Sequence, residues 1–387
     1  MYMISLLNMT YREGGCAFTC MELRAEPIAI RFDPFVSWGH SRTMQAPVFP
    51  YRQRATMLAH LPPLLAELGV PLAPVLEGTG IAPEDLVPGS VLPYAGVLAM
   101  LDRAAEISGR GDLGLLLARR QSLAALGPAG EVMRHAGTLG EALNDYAQFQ
   151  IWNSTGAAAY VYRTPQDFAF GYGIYDPAGV GALQIHDLVL ASGCMLVFIL
   201  TEHRVQPVEL WSMRPPPSDP APLARFAGCP VRYGQAQTCI FFPGAAWDVP
   251  LPDADRVAHG GALAQLAARA ASAPWGTAAT VRHALRAAIV TGRTGMPEIA
   301  ARLHRHPRSL RRALEREGTT FTALRDEVRY TVARELLSLT RLRVSDIAVA
   351  LSFADVSALT HAFHQWSGTS PTDWRRTHTA RSRDAAR

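Results

Sequence analysis

Residues 296–318 read MPEIAARLHRHPRSLRRALEREG, and the spacing of their charges decides the fold of the C-terminal third. At about 100° per residue, Arg308, Arg311, Arg312 and Arg316 fall within one sector of roughly 140°, while Leu310, Ala313 and Leu314 point the other way. Pro297 suits the first turn of a helix. A tight turn at 304–307 comes next, after which Ile299, Ala300 and Leu303 face Leu310 and Leu314. Two short helices meeting through small and apolar residues, the second one basic, describe a helix-turn-helix whose second member enters a DNA major groove. Taken alone the run also fits a solvated amphipathic helix face, so the residues C-terminal to it have to decide between the two.

Those residues repeat the same unit. Residues 344–371, VSDIAVALSFADVSALTHAFHQWSGTSP, place Ser345 or Asp346 at a helix start with Ile347, Ala348 and Leu351 inward. A turn at 352–355 then leads to a second helix with Leu359 and Phe363 inward. Ile299 to Ile347 is 48 residues, and both Leu310 to Leu359 and Leu314 to Phe363 are 49. Between the copies, TTFTALRDEVRYTVARELLSLT (319–340) has apolar residues at 321, 324, 328, 332 and 336. That pattern predicts one helix of about 20 residues, about 30 Å long at 1.5 Å per residue. Two groove-reading helices on such a spacer match successive major-groove segments, about 34 Å apart on one duplex face.

On these residues, 280–376 resembles the DNA-binding domain of the AraC/XylS family of transcription regulators. The family pattern Gly-Phe-x-Asp-x-Ser-x-Phe-x-Arg-x-Phe…Gly-x-Ser-Pro…Arg is matched at Phe353, Asp355, Ser357, Phe363, Gly368, Ser370, Pro371 and Arg375. The chain departs from it at Ser352 (Gly in the pattern), Leu359 (Phe) and His361 (Arg). Ser352 stands where a turn often needs positive φ. His361 replaces a permanent cation with an imidazole. The resemblance implies recognition of double-stranded promoter DNA, with Arg308, Ser309, Arg311 and Arg312 on the exposed face of the first recognition helix. Arg311 and Arg312 are the candidates for base edges, since bidentate Arg to guanine is the commonest specific contact. Arg308 and Arg305 are open between base and phosphate. Ser357, Thr360 and His361 occupy the corresponding positions of the second unit.

The charge distribution agrees with a nucleic-acid partner at this end. Residues 280–387 carry 19 Arg against 10 Asp and Glu, a net +9, which leaves 18 Arg against 23 acidic residues, a net −5, for 1–279. All 37 basic residues other than His are Arg, the cation whose planar fork suits phosphate and guanine.

A chain of 387 residues, 49% hydrophobic, has material for two or three cores. Residues 1–50 lack a sustained period, and 1–56 are expected to be a disordered leader. From Met57 the pattern is helical through PYAGVLAMLDRAAEISG, closed by Gly109, with Asp112 expected to cap the next helix and Thr138…Glu141 forming a capping box. AAAYVYRT (157–164) and DFAFGYGI (167–174) read as a hairpin. Beyond them lie a buried helix near 180–203, a strand over 205–213 and a strand at 238–242.

The expected fold is thus an α+β sensing domain over 57–250, an interdomain linker-helix region over 251–279, an all-α domain with two helix-turn-helix units joined by a linker helix over 280–376, and a disordered tail over 377–387. The run LLAELGVPLAPVLEGTGIAPEDLVPGSVLPYAGVLAMLDRAAEISGRGDLGLLLA (64–118) is similar to the N-terminal ligand-sensing domain of an AraC subgroup that includes ornithine-utilisation and mycobacterial virulence regulators. That resemblance implies an effector-binding or dimerising role, without naming the effector. Trp152, Tyr160, Tyr162, Phe168, Phe170, Tyr172 and Trp211 offer a lining, with Arg163 or His186 as anchors, although each is more simply core or surface.

The longest apolar stretch, LVLASGCMLVFIL at 188–200, is too short for a bilayer span. The N-terminus has no basic segment before its apolar patch, so a cytoplasmic protein without membrane contact is expected. Five scattered cysteines suggest reduced thiols, with Cys16 and Cys20 lacking the two further cysteines of a zinc site. His304 with His306, or His361 with His364, has no placed carboxylate or thiol to complete a metal site. No nucleophile elbow or phosphate loop appears, so no catalytic residue, cofactor or metal is expected. The competing readings are an effector-independent regulator whose N-terminal domain only dimerises, and an enzyme. The partners expected are promoter DNA, a small-molecule effector, RNA polymerase and a second copy of the chain.

Overall fold

The computed structural model describes residues 51–163, 166–175, 182–235, 237–271, 275–289, 293–303, 305–339 and 342–380. Residues 1–50, with Cys16 and Cys20, and His304 lie outside the described residues. The chain divides into two compact units, one reaching Ala273 and the other beginning at Pro274.

In chain order the first unit contains β1 (Arg52–Arg54), α1 (Leu61–Glu67), α2 (Leu72–Leu76), β2 (Val91–Pro93), α3 (Tyr94–Ser108) and α4 (Leu113–Ala118). It continues with α5 (Pro128–His135), α6 (Leu139–Phe149), β3 (Ala157–Arg163), β4 (Asp167–Ile174) and α7 (Gln184–Leu200). It ends with β5 (Glu209–Trp211), α8 (Ala221–Ala227), β6 (Val231–Arg232), β7 (Thr238–Pro243) and α9 (Arg256–Ala271). β1 pairs antiparallel with β2. A five-stranded sheet runs β3-β4-β7-β5-β6, antiparallel except between β5 and β6.

α7 is apolar on nearly every side because it is buried on nearly every side. Its N-terminal amides at Leu183 and Gln184 donate to Asp102, at 3.1 and 2.8 Å. Close approach to the sheet depends on Gly193, where a Cβ would stand 2.6 Å from Ile240 Cδ1. On the sheet face, Phe168 stacks on its cross-strand partner Phe242 at 5.2 Å. Each large side chain buried in this layer contributes about 1.5–3 kcal/mol.

Several expectations need correction. The leader does not extend to 56, because residues 52–54 form β1 and 55–57 a 3-10 turn. The Arg54 amide donates to the Asn153 carbonyl at 2.7 Å and that of Tyr94 to Tyr51 at 2.8 Å. Asp112 stands at the N-cap of α4 as expected, but its carboxylate is held by Arg110 and accepts from no amide of the helix. Thr138 does cap α6, but Glu141 reaches back to the amide of Gly137 at 2.7 Å instead of that of Thr138. The strand over 205–213 shrinks to Glu209–Trp211, since Pro207 has no amide to donate. Most of the region expected as a linker over 251–279 is packed helix of the first unit: α9 lies against α5, with Leu266 buried and His259 Nε2 2.7 Å from Asp145 Oδ2.

The second unit is all helical among the described residues: α10 (Thr277–Ile289), α11 (Met296–Arg302), α12 (Pro307–Arg316), α13 (Phe321–Leu339), α14 (Val344–Ala350), α15 (Val356–Ser367) and α16 (Pro371–Ala380). The helical end at Ala380 places 377–380 in regular structure, so the disordered tail expected from 377 does not start there, and 381–387 lie outside the described residues. Neither Ser345 nor Asp346 caps α14. The cap is Arg343, whose amide donates to the Asp346 carboxylate at 3.3 Å.

Candidate nucleic-acid interface

α11 and α12 meet through Ile299, Ala300, Leu310 and Leu314, all essentially inaccessible to solvent. Burying these residues turns the opposite face of α12 outward, and Arg308, Ser309, Arg311, Arg312 and Arg316 are exposed there. His306 caps α12, its Nδ1 accepting from the Arg308 amide at 3.2 Å. At the far end Glu317 accepts from the amides of Thr277 and Ala278, at 2.6 and 2.8 Å, which ties the end of α12 to the start of α10. A carboxylate at a helix N-terminus is favoured by both the unpaired amides and the helix dipole.

α13 is 19 residues long and joins the two helix-turn-helix units. Two buried ion pairs dock α10 onto it. Arg282 grips Glu327 in a bidentate pair at 2.7 and 3.0 Å, and Arg286 meets Glu335 at 2.8 Å. Between these two pairs on α13, Arg329 donates to the Ser352 carbonyl at 2.7 Å and lies 4.4 Å from the centre of the Phe353 ring. Burial, with Arg325 nearby, draws its guanidinium pKa down to about 10, so it remains charged at neutral pH.

Arg329 therefore holds the turn between α14 and α15. Ser352 in that turn adopts φ 58°, the left-handed conformation that the sequence pattern led us to expect. Tyr330 packs on Phe363 and Trp366, and Phe363 on Trp374, linking α13, α15 and α16 through rings 5.6 to 6.1 Å apart. Asp355 caps α15 by accepting from the Ala358 amide at 2.7 Å.

On α15, Ser357 and His361 are exposed and Thr360 is half-buried, with Leu359 and Phe363 inward. The two recognition helices thus differ in chemistry. Among the described residues the guanidinium groups of Arg308, Arg311 and Arg312 have no protein partner. That of Arg305 touches Thr277 Oγ1 at 3.2 Å, outside the stripe on α12. The outer face of α15 presents hydroxyls and imidazoles in place of guanidinium groups. Sequence reasoning missed Glu317 and Arg329, which touch no ligand face but position both recognition helices.

In the first unit, most of the aromatic residues offered as pocket lining are structural. Trp152 stacks under Arg54, Tyr162 lies on Tyr160, and Trp211 donates to Glu209. Arg163 pairs with Asp248, and buried His186 meets Thr238 Oγ1 at 2.8 Å. Only Phe170 and Tyr172 of that set border a cavity of about 80 Å³ between α7 and the sheet.

Comparison with known proteins agrees with this geometry. Residues 299–377 match a helix-turn-helix domain model, and residues 69–251 match the model described as the arabinose-binding domain of AraC transcription regulator, N-terminal. A helix-turn-helix-type transcriptional regulator of Mycobacterium tuberculosis is 30% identical over 331 residues, covering 80% of this chain and 92% of that one. The chain belongs to the AraC family of transcription regulators. Family members similar to it include VirS of Mycobacterium tuberculosis, at 28% identity over 83% of this chain and 96% of VirS. The ornithine utilization regulator of Pseudomonas aeruginosa is 26% identical over 81% of this chain and 93% of its own. The crystal structure of the regulator CdpR from Pseudomonas aeruginosa superposes with a TM-score of 0.43 at 22% identity, covering 83% of this chain and 98% of CdpR. As an AraC-family regulator the chain is a DNA-binding protein, and α12 and α15 are the second helices of its two helix-turn-helix units.

Proposed function

We propose that this regulator lays α12 and α15 into neighbouring major-groove segments of one promoter face and activates transcription there. The observation that carries this reading is the exposed stripe on α12 in which the guanidinium groups of Arg308, Arg311 and Arg312 have no partner among the described residues, on a helix fixed by Glu317 and repeated as α15 at the other end of α13. Arg311 and Arg312 read base edges, Arg308 and Arg305 hold phosphate, and Ser309 sits between them. Ser357, Thr360 and His361 make the weaker contacts of the second half-site, because neither a hydroxyl nor an imidazole has the planar guanidinium fork that meets guanine and phosphate.

The N-terminal unit holds a small-molecule effector and contributes to pairing two copies, and the bound effector changes how the reading helices meet DNA or RNA polymerase. The chain works in the cytoplasm and catalyses no reaction. Among the described residues no helix is long and apolar enough to cross a membrane.

The test is gel-shift titration of the full chain on DNA upstream of its own gene, in rising salt. Nanomolar binding to that fragment, weakening steeply with salt, supports the reading. Equal affinity for every duplex of that length contradicts sequence-specific regulation.

A further inference from the structure

The cavity between α7 and the sheet contains an arrangement that packing alone does not require. Three buried polar atoms on its border have no hydrogen-bond partner: Gln121 Oε1, Asn153 Nδ2 and Ser192 Oγ. Asn153 and Ser192 are each 6% exposed. The other end of Gln121 is committed, its Nε2 donating to the Met57 carbonyl at 2.7 Å, so the orphaned oxygen is held in place. Buried polar atoms without a partner occur elsewhere in the described residues, but these three converge on one cavity, where whatever occupies it can satisfy them. Together they offer an acceptor, a donor and a hydroxyl that is both.

The second observation is the charge of the lining. Every bordering residue is apolar, aromatic, amide or hydroxyl, and none is Asp, Glu, Arg or His. The nearby tyrosines stay neutral: burial lifts the Tyr146 hydroxyl pKa to about 12, and Tyr172 shares its hydroxyl with Tyr94 at 3.0 Å. A carboxylate or ammonium entering here would shed water and meet no counter-charge.

We propose that this cavity is the effector site and that its ligand is an uncharged molecule with an apolar body and one donor–acceptor head, a hydroxyl or carboxamide, held by Gln121, Asn153 and Ser192. The inference rests on the reading of the first unit as an effector domain and adds the class of effector to it. The cavity holds about 80 Å³, roughly half the 150 Å³ that accommodates benzene, so the enclosed part of the ligand is small. The cavity is partly open to solvent, which gives a longer tail an exit.

Titration calorimetry on the full chain tests this with four six-carbon probes: 1-hexanol, hexanamide, hexanoate and hexylammonium. The neutral pair should bind at least tenfold more tightly than the charged pair. Ser192→Ala should weaken the neutral pair about fivefold while leaving the melting temperature of the unliganded chain unchanged or higher, since the variant removes an orphaned hydroxyl. Hexanoate or hexylammonium binding as tightly as 1-hexanol overturns the ligand class but leaves an effector domain standing. Absence of binding by all four probes, or a Ser192→Ala variant that melts lower yet binds normally, overturns the site. Gel shifts on the same preparations separate these failures from a failure of DNA recognition, which none of the outcomes affects.

Discussion

Ser352 stores strain in the turn of the second helix-turn-helix, and releasing it should stabilise the C-terminal unit. Its φ of 58° costs a residue with a Cβ about 1–2 kcal/mol relative to Gly. Its Oγ is buried without a partner, adding a penalty of up to about 1–3 kcal/mol. Glycine gives back about 0.5–1 kcal/mol through the greater freedom of the unfolded chain. The carbonyl that Arg329 holds at 2.7 Å is backbone and survives the change. Ser352→Gly should therefore stabilise the unit by about 1–4 kcal/mol, and for a unit of this size each kcal/mol raises the melting temperature by roughly 4–8 °C. Ser352→Val, which keeps the positive φ and adds a β-branched side chain, should destabilise by more than about 1 kcal/mol. Scanning calorimetry of the full chain gives the melting temperatures, and hydrogen exchange at the Ser352 and Phe353 amides, which close the end of α14, localises the effect. A Ser352→Gly variant no more stable than the parent, or a neutral Ser352→Val, would show that the turn carries no strain.

Three further outcomes rest on named contacts. Glu317→Ala strips the carboxylate from the amides of Thr277 and Ala278 and should cost the C-terminal unit about 2 kcal/mol, read as a lower urea midpoint. Arg312→Ala should cost about 1–3 kcal/mol on the cognate duplex and little on a scrambled one, whereas Arg308→Ala should weaken both alike and flatten the salt slope by about one unit, as competitive gel shifts would reveal. His186 is buried beside Arg214, burial being the larger influence, and its pKa is depressed to about 4. A depressed folded-state pKa supplies stability above the unfolded value near 6.5 that is lost as pH falls through 4. His186→Gln should thus lose about 2 kcal/mol less than the parent between pH 7 and pH 4.5, by urea unfolding at both pH values. Asp187, which burial raises to about 6 despite Arg214, acts with the opposite sign in both proteins and leaves that difference in place.

The recognition helices were legible because their signal is periodic and local. One face of α12 is apolar every third or fourth residue and the other is arginine, and the pattern recurs 48–49 residues on. The positive φ of Ser352 was legible from its departure from the family glycine. The clamps were not legible in the same way. Glu317 meets Thr277 across 40 residues of sequence and Arg329 meets Ser352 across 23, and a charge on a helix does not say which backbone group it will find. α9 was recognised as helical but misplaced as a linker, because its docking depends on a His259–Asp145 contact 114 residues apart. β1 escaped notice for the same reason, since three residues acquire strand character only beside β2. The aromatic alternation of β3 and β4 announced strands correctly but not which face borders a cavity, and the polar atoms that do, on Gln121, Asn153 and Ser192, carry no pattern at all.

Hydroxyl-radical footprinting of the full chain on its promoter fragment tests the double-headed interface most directly. Two engaged reading helices on one bar must leave two protected segments on the same face of the duplex, about 10 base pairs apart, with the segment under α12 protected at lower protein concentration than that under α15. A single protected segment, or two on opposite faces, would contradict the geometry.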